Sequence, residues 1–282
     1  MKIIIKIMGG LGNQMFQYAC GRAVAHRLNA RLYLDLSWFK DGERMFLLDA
    51  FPNVSHSLYA QKTKFKKIMQ RMGLCTPIPT VAEPYYSYWS EIENIRSSVR
   101  LLGYWQNERY FFDVSSVIKQ DFIFPNFSCS KAENIATKIR TCVSSVGIHI
   151  RRGDYVENHI TNCFHGICSM EYYEKALQVI AGNKKATMEL YIFSDDFEWV
   201  KNNFDTHGYP SVFVDISHHK DAAYHDMHLM SLCQHHIIAN SSFSWWGAWL
   251  SGKNGRVVAP KLWFADEVMK KYNPSVMSWV AI

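Results

Sequence analysis

The chain has 282 residues, of which 48% are hydrophobic and 15% aromatic, so it is long enough to bury a sizeable core. Its formal net charge of +6, from 31 basic and 25 acidic residues, is too small to indicate a nucleic-acid partner but suits an anionic small molecule. Its seven cysteines lack paired spacing, which indicates free thiols in a reducing compartment rather than a disulfide framework.

The sequence indicates neither a membrane span nor a targeting signal. Its apolar runs fall short of the roughly 18 residues that a span needs, and the apolar residues 1–8 end at a glycine turn. We therefore expect a cytoplasmic protein. Residues 60–73 combine several basic side chains with apolar residues at helical spacing, which predicts either a surface helix packed on its own domain or a peripheral contact with the inner face of a membrane.

The amino-terminal segment predicts a βαβ unit. Residues 3–7 form a strand, residues 9–14 a glycine-rich turn, residues 15–28 a helix and residues 31–36 a second, parallel strand. The turn lacks the third glycine of a dinucleotide fingerprint and the Gly-Lys-Ser/Thr of a P-loop. We interpret it as a loop that lets the backbone and Asn13 approach a ligand. The binding candidates in this turn are Gly10, Gly12, Asn13 and Gln14.

The rest of the chain predicts two wound α/β domains. Residues 76–89 are irregular and aromatic, residues 101–105 form a short strand, and residues 125–128 form a linker between domains 1–125 and 126–282. In the second domain, helices over residues 131–142, 170–181, 197–204, 224–233 and 245–250 alternate with strands over residues 147–150, 189–193, 212–214, 236–239 and 256–260.

A cluster of charge follows the first strand of the second domain, in Gly-Ile-His-Ile-Arg-Arg-Gly-Asp over residues 147–154. Open α/β sheets bind their ligands at this carboxyl edge. Arg151 or Arg152 suits a diphosphate there, because the planar guanidinium donates two parallel hydrogen bonds and stays charged. The alternative is an ion pair between Arg152 and Asp154 that only closes the end of the strand.

Two more polar clusters follow later strands. Asp195 or Asp196 would accept hydrogen bonds from ribose hydroxyls or from the N–H groups of a guanine ring. Residues 240–244 enter a helix, whose positive end attracts phosphate oxygens. The candidates in that segment are Asn240, Ser241, Ser242, Phe243 and Ser244. In a parallel sheet the three clusters lie on one edge, and together they predict a nucleoside-diphosphate site.

Crowded histidines raise the question of a metal. They are His218, His219, His225, His228, His235 and His236. A zinc site on His225 and His228 would need a third ligand and an open position, so we interpret these histidines as packed or solvated and predict no metal. Trp245 and Trp246 are interpreted as core residues.

Five segments resemble, in order, the landmarks of the α-1,2-fucosyltransferases, glycosyltransferase family 11. They are IMGGLGNQMFQYACGRAVA, LLGYWQNERYF, GIHIRRGDYV, YIFSDD and ANSSFSWWGAWL, and they extend over nearly the whole chain. The His-x-Arg-Arg-x-Asp motif is shared with α-1,6- and protein O-fucosyltransferases. The resemblance implies a GT-B type α/β fold with two Rossmann-like domains facing a cleft, an amino-terminal acceptor side and a carboxyl-terminal GDP-fucose side. It also implies GDP-β-L-fucose as donor, inversion at the sugar carbon, and no metal or other cofactor.

By position, the resemblance implies that Arg151 binds the β-phosphate of the donor and assists its departure, and that Asn13 faces the reaction centre. His149 would line the GDP pocket with the aspartate and serine clusters, and Arg152 is a further binding candidate. The chain has no Asp-x-Asp motif, so a fixed guanidinium would neutralise the departing diphosphate. Asp154 is the candidate general base, with a salt bridge to an arginine as the alternative role and a leaving-group oxygen as the alternative base.

The acceptor implied by the resemblance is the 2-hydroxyl of a terminal β-galactoside in a glycan. Its expected contacts are Asn13, Tyr104, Trp105 and Gln106. Two alternatives stay open: a fucosyltransferase of another linkage, and a non-catalytic carbohydrate-binding module, which would have no GDP pocket. The sequence does not indicate an oligomeric state.

Overall fold

The computed structural model describes residues 1–40, 44–59, 76–153, 156, 159–182, 188–216 and 222–282. The basic segment 60–73, Asp154, His218 and His219 lie wholly or largely outside the described residues. The chain divides into two compact units, Met1–Ile123 and Phe124–Ile282. The division falls just before the proline of the predicted linker, residues 125–128. Each unit is built on one parallel sheet.

The first unit has a five-stranded parallel sheet in the order β3-β2-β1-β5-β4. Its strands are β1 (Lys2–Lys6), β2 (Arg31–Asp35), β3 (Ser57–Leu58), β4 (Thr80–Ala82) and β5 (Val99–Leu102). Its described helices are α1 (Leu11–Arg27) and α2 (Ser115–Asp121), with 3-10 turns at Ser37–Lys40, Leu48–Ala50, Ser90–Asn94, Glu108–Tyr110 and Phe112–Val114. The predicted βαβ unit is confirmed, because β1 and β2 pair in parallel on either side of α1 in the chain.

The predicted start of α1 is wrong. The helix begins at Leu11 and not at residue 15, because Gly9 takes a left-handed conformation (φ 79°) and Gly10 is the N-cap, so the turn is complete within two residues. Residues 12–14 therefore belong to the first helical turn. Gly21 lets the helix lie close on β1, since an added Cβ there would lie 3.0 Å from the side chain of Ile5.

The segment 76–89 is not irregular throughout, which corrects the second prediction for this unit. β4 forms within it and pairs in parallel with β5, with Val81 opposite Leu101. β4 is the outermost strand of its sheet, and an edge strand tolerates prolines nearby. β4 matters for function because its end places Glu83 beside the residues that follow β5.

The second unit has a six-stranded parallel sheet in the order β11-β10-β9-β6-β7-β8. Its strands are β6 (Ser145–Ile150), β7 (Glu189–Ser194), β8 (Ser211–Phe213), β9 (His235–Ile237), β10 (Val257–Ala259) and β11 (Val280–Ala281). Its described helices are α3 (Ser130–Thr141), α4 (His159–His165), α5 (Met170–Ala181), α6 (Phe197–Asn203), α7 (Ala222–Leu232) and α8 (Ser242–Trp249). β6 lies between β7 and β9, so the three strands that precede the polar clusters are neighbours. The clusters follow the carboxyl ends of parallel strands and so lie on one edge, as predicted.

Packing in the second unit positions the candidate site. β6 is buried along its whole length, as a central parallel strand covered on both faces should be. Trp245 and Trp246 are fully buried, which confirms their prediction as core residues. The predicted start of the last helix at residue 245 is wrong: α8 begins at Ser242, so residues 242–244 form its first turn.

An aromatic sandwich joins the first residues of the second unit to α7. The ring of His228 stacks on Phe124 at 4.6 Å and on Phe127 at 4.3 Å, with interplanar angles of 5° and 12°. One turn earlier, Nε2 of His225 lies 2.8 Å from the hydroxyl of Ser128. Burial lowers the pKa of His228 to about 4, so its ring is neutral. These two histidines are packed, as predicted.

Candidate active site

Arg152 is fixed by the segment that follows β7. Its Nε donates to Oδ2 of Asp196 at 3.2 Å, and its guanidinium carbon lies 3.3 Å from the centre of the Trp199 ring. Asp196 is held in turn as the N-cap of α6, where its Oδ1 accepts the backbone N–H of Trp199. The described partner of Arg152 is therefore Asp196, whereas the alternative partner Asp154 lies outside the described residues.

Arg151 is held by the neighbouring aspartate. Its Nη1 lies 2.9 Å from Oδ2 of Asp195, while Oδ1 of Asp195 accepts the backbone N–H of Arg152 at 2.9 Å. Position 153 has to be glycine for this contact, because an added Cβ would overlap Oδ2 of Asp195. The carboxylate thus binds a side chain and the backbone of the same short segment.

These contacts change the interpretation of the aspartate pair. Asp195 or Asp196 was expected to accept hydrogen bonds from a nucleoside, but the described side-chain partners of the two carboxylates are the two arginines. The aspartates position two guanidinium groups at the carboxyl end of β6. A direct contact of either aspartate with a nucleotide stays a prediction.

The segment 240–244 divides into inner and outer residues. Asn240 is buried, and its Nδ2 donates to the carbonyl groups of His165 (2.8 Å), Gly166 (3.2 Å) and Trp263 (3.2 Å). The hydroxyl of Ser244 is also buried, and lies 3.2 Å from the carbonyl oxygen of Ser241. The structure therefore does not bring these two side chains to the site. Ser241 is the N-cap of α8, and Ser242 and Phe243 are partly exposed in its first turn.

His149 lies at the same edge of the sheet, one residue before the end of β6. Its ring is buried, and its centre is 5.3 Å from that of Phe243. Burial, and then the charge of Arg151, lower the pKa of His149 to about 3, so the ring is neutral at physiological pH. Within the described part of the chain, its Nδ1 has no hydrogen-bond partner.

Sequence reasoning missed Asp226 in α7. The residue is partly exposed, but its Oδ1 is buried and has no partner among the described residues. Burial, and then the charge of Asp215, raise the pKa of Asp226 to about 8. The sequence feature that could have indicated this residue is its position four residues before Met230, which places an acidic side chain on the helix face that packs on the sheet.

Asp226 lies on the helix that covers the face of β6 carrying His149. An added Cβ at Gly147 would lie 3.5 Å from Met230, which shows that α7 covers this face of β6. His149 is two residues further along the same strand face, and Asp226 is one turn before Met230. Because α7 runs opposite to the parallel strands, each step leads about 6 Å toward the carboxyl edge. α7, which carries Asp226, therefore covers the face of β6 on which His149 lies.

In the glycine turn of the first unit, the side chain of Gln14 is buried, whereas Asn13 is partly exposed. Gln14 is buried: its Nε2 donates to the carbonyls of Gly9 and Met45 at 2.9 Å, and its Oε1 accepts the N–H of Leu47. Gln14 therefore ties down the segment after residue 43, and the structure does not bring it to the site. Asn13 instead accepts a hydrogen bond at Oδ1 from Nε2 of Gln106 at 2.8 Å. Gly12 is buried in the same helical turn, and an added Cβ at Gly10 would lie 2.8 Å from Nη1 of Arg44.

The family described as Glycosyl transferase family 11 matches residues 2–282. The chain belongs to this family. One relative of this family 11 glycosyltransferase, an alpha-1,2-colitosyltransferase of Escherichia coli, is 34% identical over 99% of this chain and 98% of its own length. The human galactoside alpha-(1,2)-fucosyltransferase 1 is 23% identical, over 97% of this chain and 73% of its own length. The family predicted from the sequence is thus confirmed.

The fold of this glycosyltransferase is similar to that of fucosyltransferase NodZ from Bradyrhizobium. The TM-score is 0.52 at 14% identity, over 87% of this chain and 92% of NodZ. NodZ has also been co-crystallised with GDP. The likeness confirms the predicted GT-B type of fold. Among the helices of the described residues, none is long and apolar enough to cross a membrane.

Proposed function

We propose that this family 11 glycosyltransferase transfers L-fucose from GDP-β-L-fucose to the 2-hydroxyl of a terminal β-galactoside, with inversion and without a metal or other cofactor. The observation that carries the proposal is Arg151, which Asp195 holds at the carboxyl end of β6. β9, the neighbour of β6, leads into the amino end of α8. A fixed guanidinium near helix amides is a suitable site for a diphosphate. The GDP bound by NodZ supports a guanosine diphosphate donor.

Arg151 would act on the leaving group. As the bond between fucose and phosphate breaks, positive charge develops on the sugar ring and negative charge on the β-phosphate. A guanidinium that is already in place stabilises that charge without reorganising during the reaction. The guanidinium has five N–H donors, and Asp195 holds it through Nη1. Arg152 binds Asp196 and packs on Trp199, and in this way holds the segment that carries Arg151.

His149 and Asp226 would recognise the guanine ring. A carboxylate oxygen at Asp226 can accept the N–H groups at N1 and N2 of guanine, and the neutral imidazole of His149 can donate one N–H to O6 or N7. Adenine has no N–H at N1 and no amino group at C2, so it cannot donate these two hydrogen bonds. Nδ1 of His149 and Oδ1 of Asp226 are buried without a partner among the described residues, so a hydrogen bond left unmade there would be costly, which favours the matching base.

The acceptor hydroxyl must lose its proton during transfer. Asp154, next to Gly153, is the side-chain base in this proposal, and an oxygen of the departing β-phosphate is the alternative acceptor of the proton. Asp154→Asn separates the two: a loss of most turnover supports Asp154, and retention supports the phosphate oxygen. The rate is measured at saturating donor and acceptor, so that a change in substrate affinity does not affect the comparison.

The first unit would bind the acceptor sugar. Its residues for this role are Asn13, Tyr104 and Gln106, at the carboxyl edge of the first sheet. Trp105 was also expected here, but it is fully buried and cannot contact a sugar. The name of the human relative, a galactoside alpha-(1,2)-fucosyltransferase, supports a galactoside acceptor and its 2-hydroxyl. The side chains that face each other here, Asn13 and Gln106, are neutral amides, which suit sugar hydroxyls.

A second donor sugar has support of its own. The Escherichia coli relative is named as a colitosyltransferase, and colitose is the 3-deoxy counterpart of fucose. The two donors share GDP and differ by one hydroxyl, so the phosphate and guanine contacts would serve both. The choice between them depends on contacts to the sugar ring alone.

The test is a transfer assay with lactose as acceptor and either GDP-fucose or GDP-colitose as donor, in EDTA or in manganese. We expect transfer from GDP-fucose that EDTA leaves largely intact, and nuclear magnetic resonance of the product should show fucose on the 2-hydroxyl. Transfer from GDP-colitose alone would assign the other donor, and fucose on another hydroxyl would overturn the linkage. Binding of lactose without any binding of GDP would indicate a carbohydrate-binding module.

A further inference from the structure

Glu83 is a partly buried carboxylate at the carboxyl edge of the first sheet. It follows β4 directly, and its Oε2 accepts the backbone N–H of Tyr104 at 2.7 Å and that of Trp105 at 3.0 Å. Trp105 is fully buried and has a left-handed backbone with φ 56°, which is unusual for a large residue. Successive N–H groups beside a left-handed residue form a concave nest for an anion. The anion in this nest is the chain's own Glu83.

Gly103 makes this approach possible. An added Cβ at position 103 would overlap the Cβ of Glu83 and would lie 2.7 Å from its Oε2. Among the described residues, no lysine or arginine forms a salt bridge with Glu83, so its described partners are backbone groups. Burial raises the pKa of Glu83, and the two N–H groups oppose that shift. The contact is a specific backbone clamp rather than an ion pair.

The clamped segment leads directly to Asn13. Gln106 follows Trp105, and its Nε2 donates to Oδ1 of Asn13 at 2.8 Å. β1 and β5 are adjacent, so the residues that follow them meet at one edge. On the other side of the clamp, the ring of Tyr104 stacks on that of Tyr86, with centres 6.2 Å apart. Loss of the Glu83 contacts would therefore allow both the ring of Tyr104 and the Gln106–Asn13 pair to move.

We propose that Glu83 is a positioning residue for the acceptor: by holding the N–H groups of Tyr104 and Trp105, it fixes Tyr104 and the Gln106–Asn13 pair in the orientation that binds the acceptor sugar. This inference rests on the proposed function, in which the first unit binds the galactoside. Glu83 does not touch the substrate. It sets the geometry of the side chains that do.

Kinetics of three variants test the proposal with GDP-fucose and lactose. We expect Glu83→Ala to raise KM for lactose about tenfold to a hundredfold, the range for losing charge-assisted hydrogen bonds, while the Kd for GDP stays within twofold. Gly103→Ala should reproduce this split, because its Cβ displaces the carboxylate. Glu83→Gln keeps an acceptor oxygen and should restore part of the lactose affinity. An unchanged KM in Glu83→Ala, or an equal loss of GDP affinity, would overturn the role.

Amide hydrogen exchange tests the clamp without reference to the reaction. In Glu83→Ala, the N–H groups of Tyr104 and Trp105 should exchange about tenfold to a hundredfold faster, while that of Ile4 in β1 keeps its protection and shows that the sheet is intact. Unchanged exchange at Tyr104 and Trp105 would overturn the proposal. If the wild-type chain transfers neither fucose nor colitose to lactose, the proposed function fails, and this measurement alone decides whether Glu83 holds the segment.

Discussion

Both sheets place a carboxylate at their carboxyl edge, but the two carboxylates hold different things. In the second unit, Asp195 holds the guanidinium of Arg151, and Asp196 holds that of Arg152. In the first unit, Glu83 holds two backbone N–H groups and so fixes the neutral amide pair of Gln106 and Asn13. One edge therefore presents fixed positive charge and the other presents fixed neutral hydrogen-bonding groups.

The difference matches the two substrates that a glycosyltransferase must hold. A nucleotide sugar carries a diphosphate, whose negative charge grows as the sugar leaves, and a fixed cation responds to that change. An acceptor sugar carries only hydroxyl groups, for which neutral amides are suitable partners and a buried charge would be a cost. Changes at the first edge should thus alter acceptor parameters, and changes at the second edge donor parameters.

The largest effect is expected for Arg151→Lys. Lysine keeps the charge but cannot hold two phosphate oxygens in a fixed geometry, so kcat should fall by about 100- to 1,000-fold, the typical loss for one preorganised donor. The measurement is turnover at saturating GDP-fucose and acceptor, together with the melting temperature, which should stay close to that of the wild type.

Arg152→Lys is the matched control at the adjacent position. The guanidinium of Arg152 packs on Trp199 and binds Asp196, so its loss should lower the melting temperature more than Arg151→Lys does and should lower turnover less. Near-normal turnover in Arg151→Lys would remove this arginine from the mechanism. An equal loss in both variants would show that the two arginines act as one unit.

Gly153→Ala is expected to have the second largest effect. Its Cβ would overlap Oδ2 of Asp195 and push the carboxylate away from Arg151. Since a misplacement of about 1 Å can cost about 100-fold in rate, kcat should fall tenfold to a hundredfold with little change in KM for lactose. Asp195→Asn should give the same pattern, because it removes the charge that orients Arg151. A large rise in KM for lactose in either variant would contradict the division of labour between the two edges.

Asp226→Asn should weaken GDP binding by about tenfold or more, because the amide replaces an acceptor oxygen with N–H donors that face those of guanine. The pKa of Asp226 is about 8, so guanine binding should favour the ionised form and release a proton. The ratio of wild-type to variant affinity should therefore rise from pH 6 to pH 8. Titrations by calorimetry measure it, and ADP, which lacks the guanine N–H groups, is the control. An affinity ratio that does not change with pH would show that Asp226 does not bind the guanine ring.

The last prediction concerns stability at low pH rather than activity. Burial lowers the pKa of His149 to about 3 and those of His228 and His236 to about 4. Below pH 6.5 the unfolded chain binds protons that these buried rings do not, so the free energy of unfolding should fall by up to about 1.4 kcal/mol per pH unit for each. Asp226 has a raised pKa and acts in the opposite sense, contributing most below pH 4 and losing its contribution as the pH rises to about 8.

Urea unfolding between pH 6.5 and 4.5 checks the stability prediction. His228→Phe keeps an aromatic ring between Phe124 and Phe127 but cannot titrate, so its stability should depend less steeply on pH than that of the wild type. An equally steep dependence in this variant would show that His228 does not resist protonation in the folded protein.

The sequence predicted what depends on alternation and on strand ends. The βαβ start, the parallel sheets and the convergence of the three polar clusters follow from the periodicity of apolar residues and from the rule for carboxyl edges. The pairing of Arg151 with Asp195 was not predictable, because 43 residues separate the arginine segment from the aspartate and only the order of β6 and β7 brings them together.

Other contacts were missed because they leave little trace in the sequence. Glu83 binds backbone N–H groups, which every residue but proline carries, so no residue type marks its partners. Asn240 and Gln14 look like ligand-facing amides, yet each is used inside the protein to hold a loop. Asp226 lies among histidines in a helical pattern, where burial and not residue type sets its chemistry.

The aromatic sandwich at the start of the second unit determines at which residue a fragment containing this unit should begin. Phe124 covers one face of His228 and Phe127 covers the other, and His228 lies on α7, the helix that carries Asp226. A fragment that begins at residue 126, the predicted domain boundary, would lack one of the two rings and would expose a neutral imidazole to water. A fragment that begins at Phe124 keeps both rings, so donor binding by the second unit alone should be studied with the longer piece.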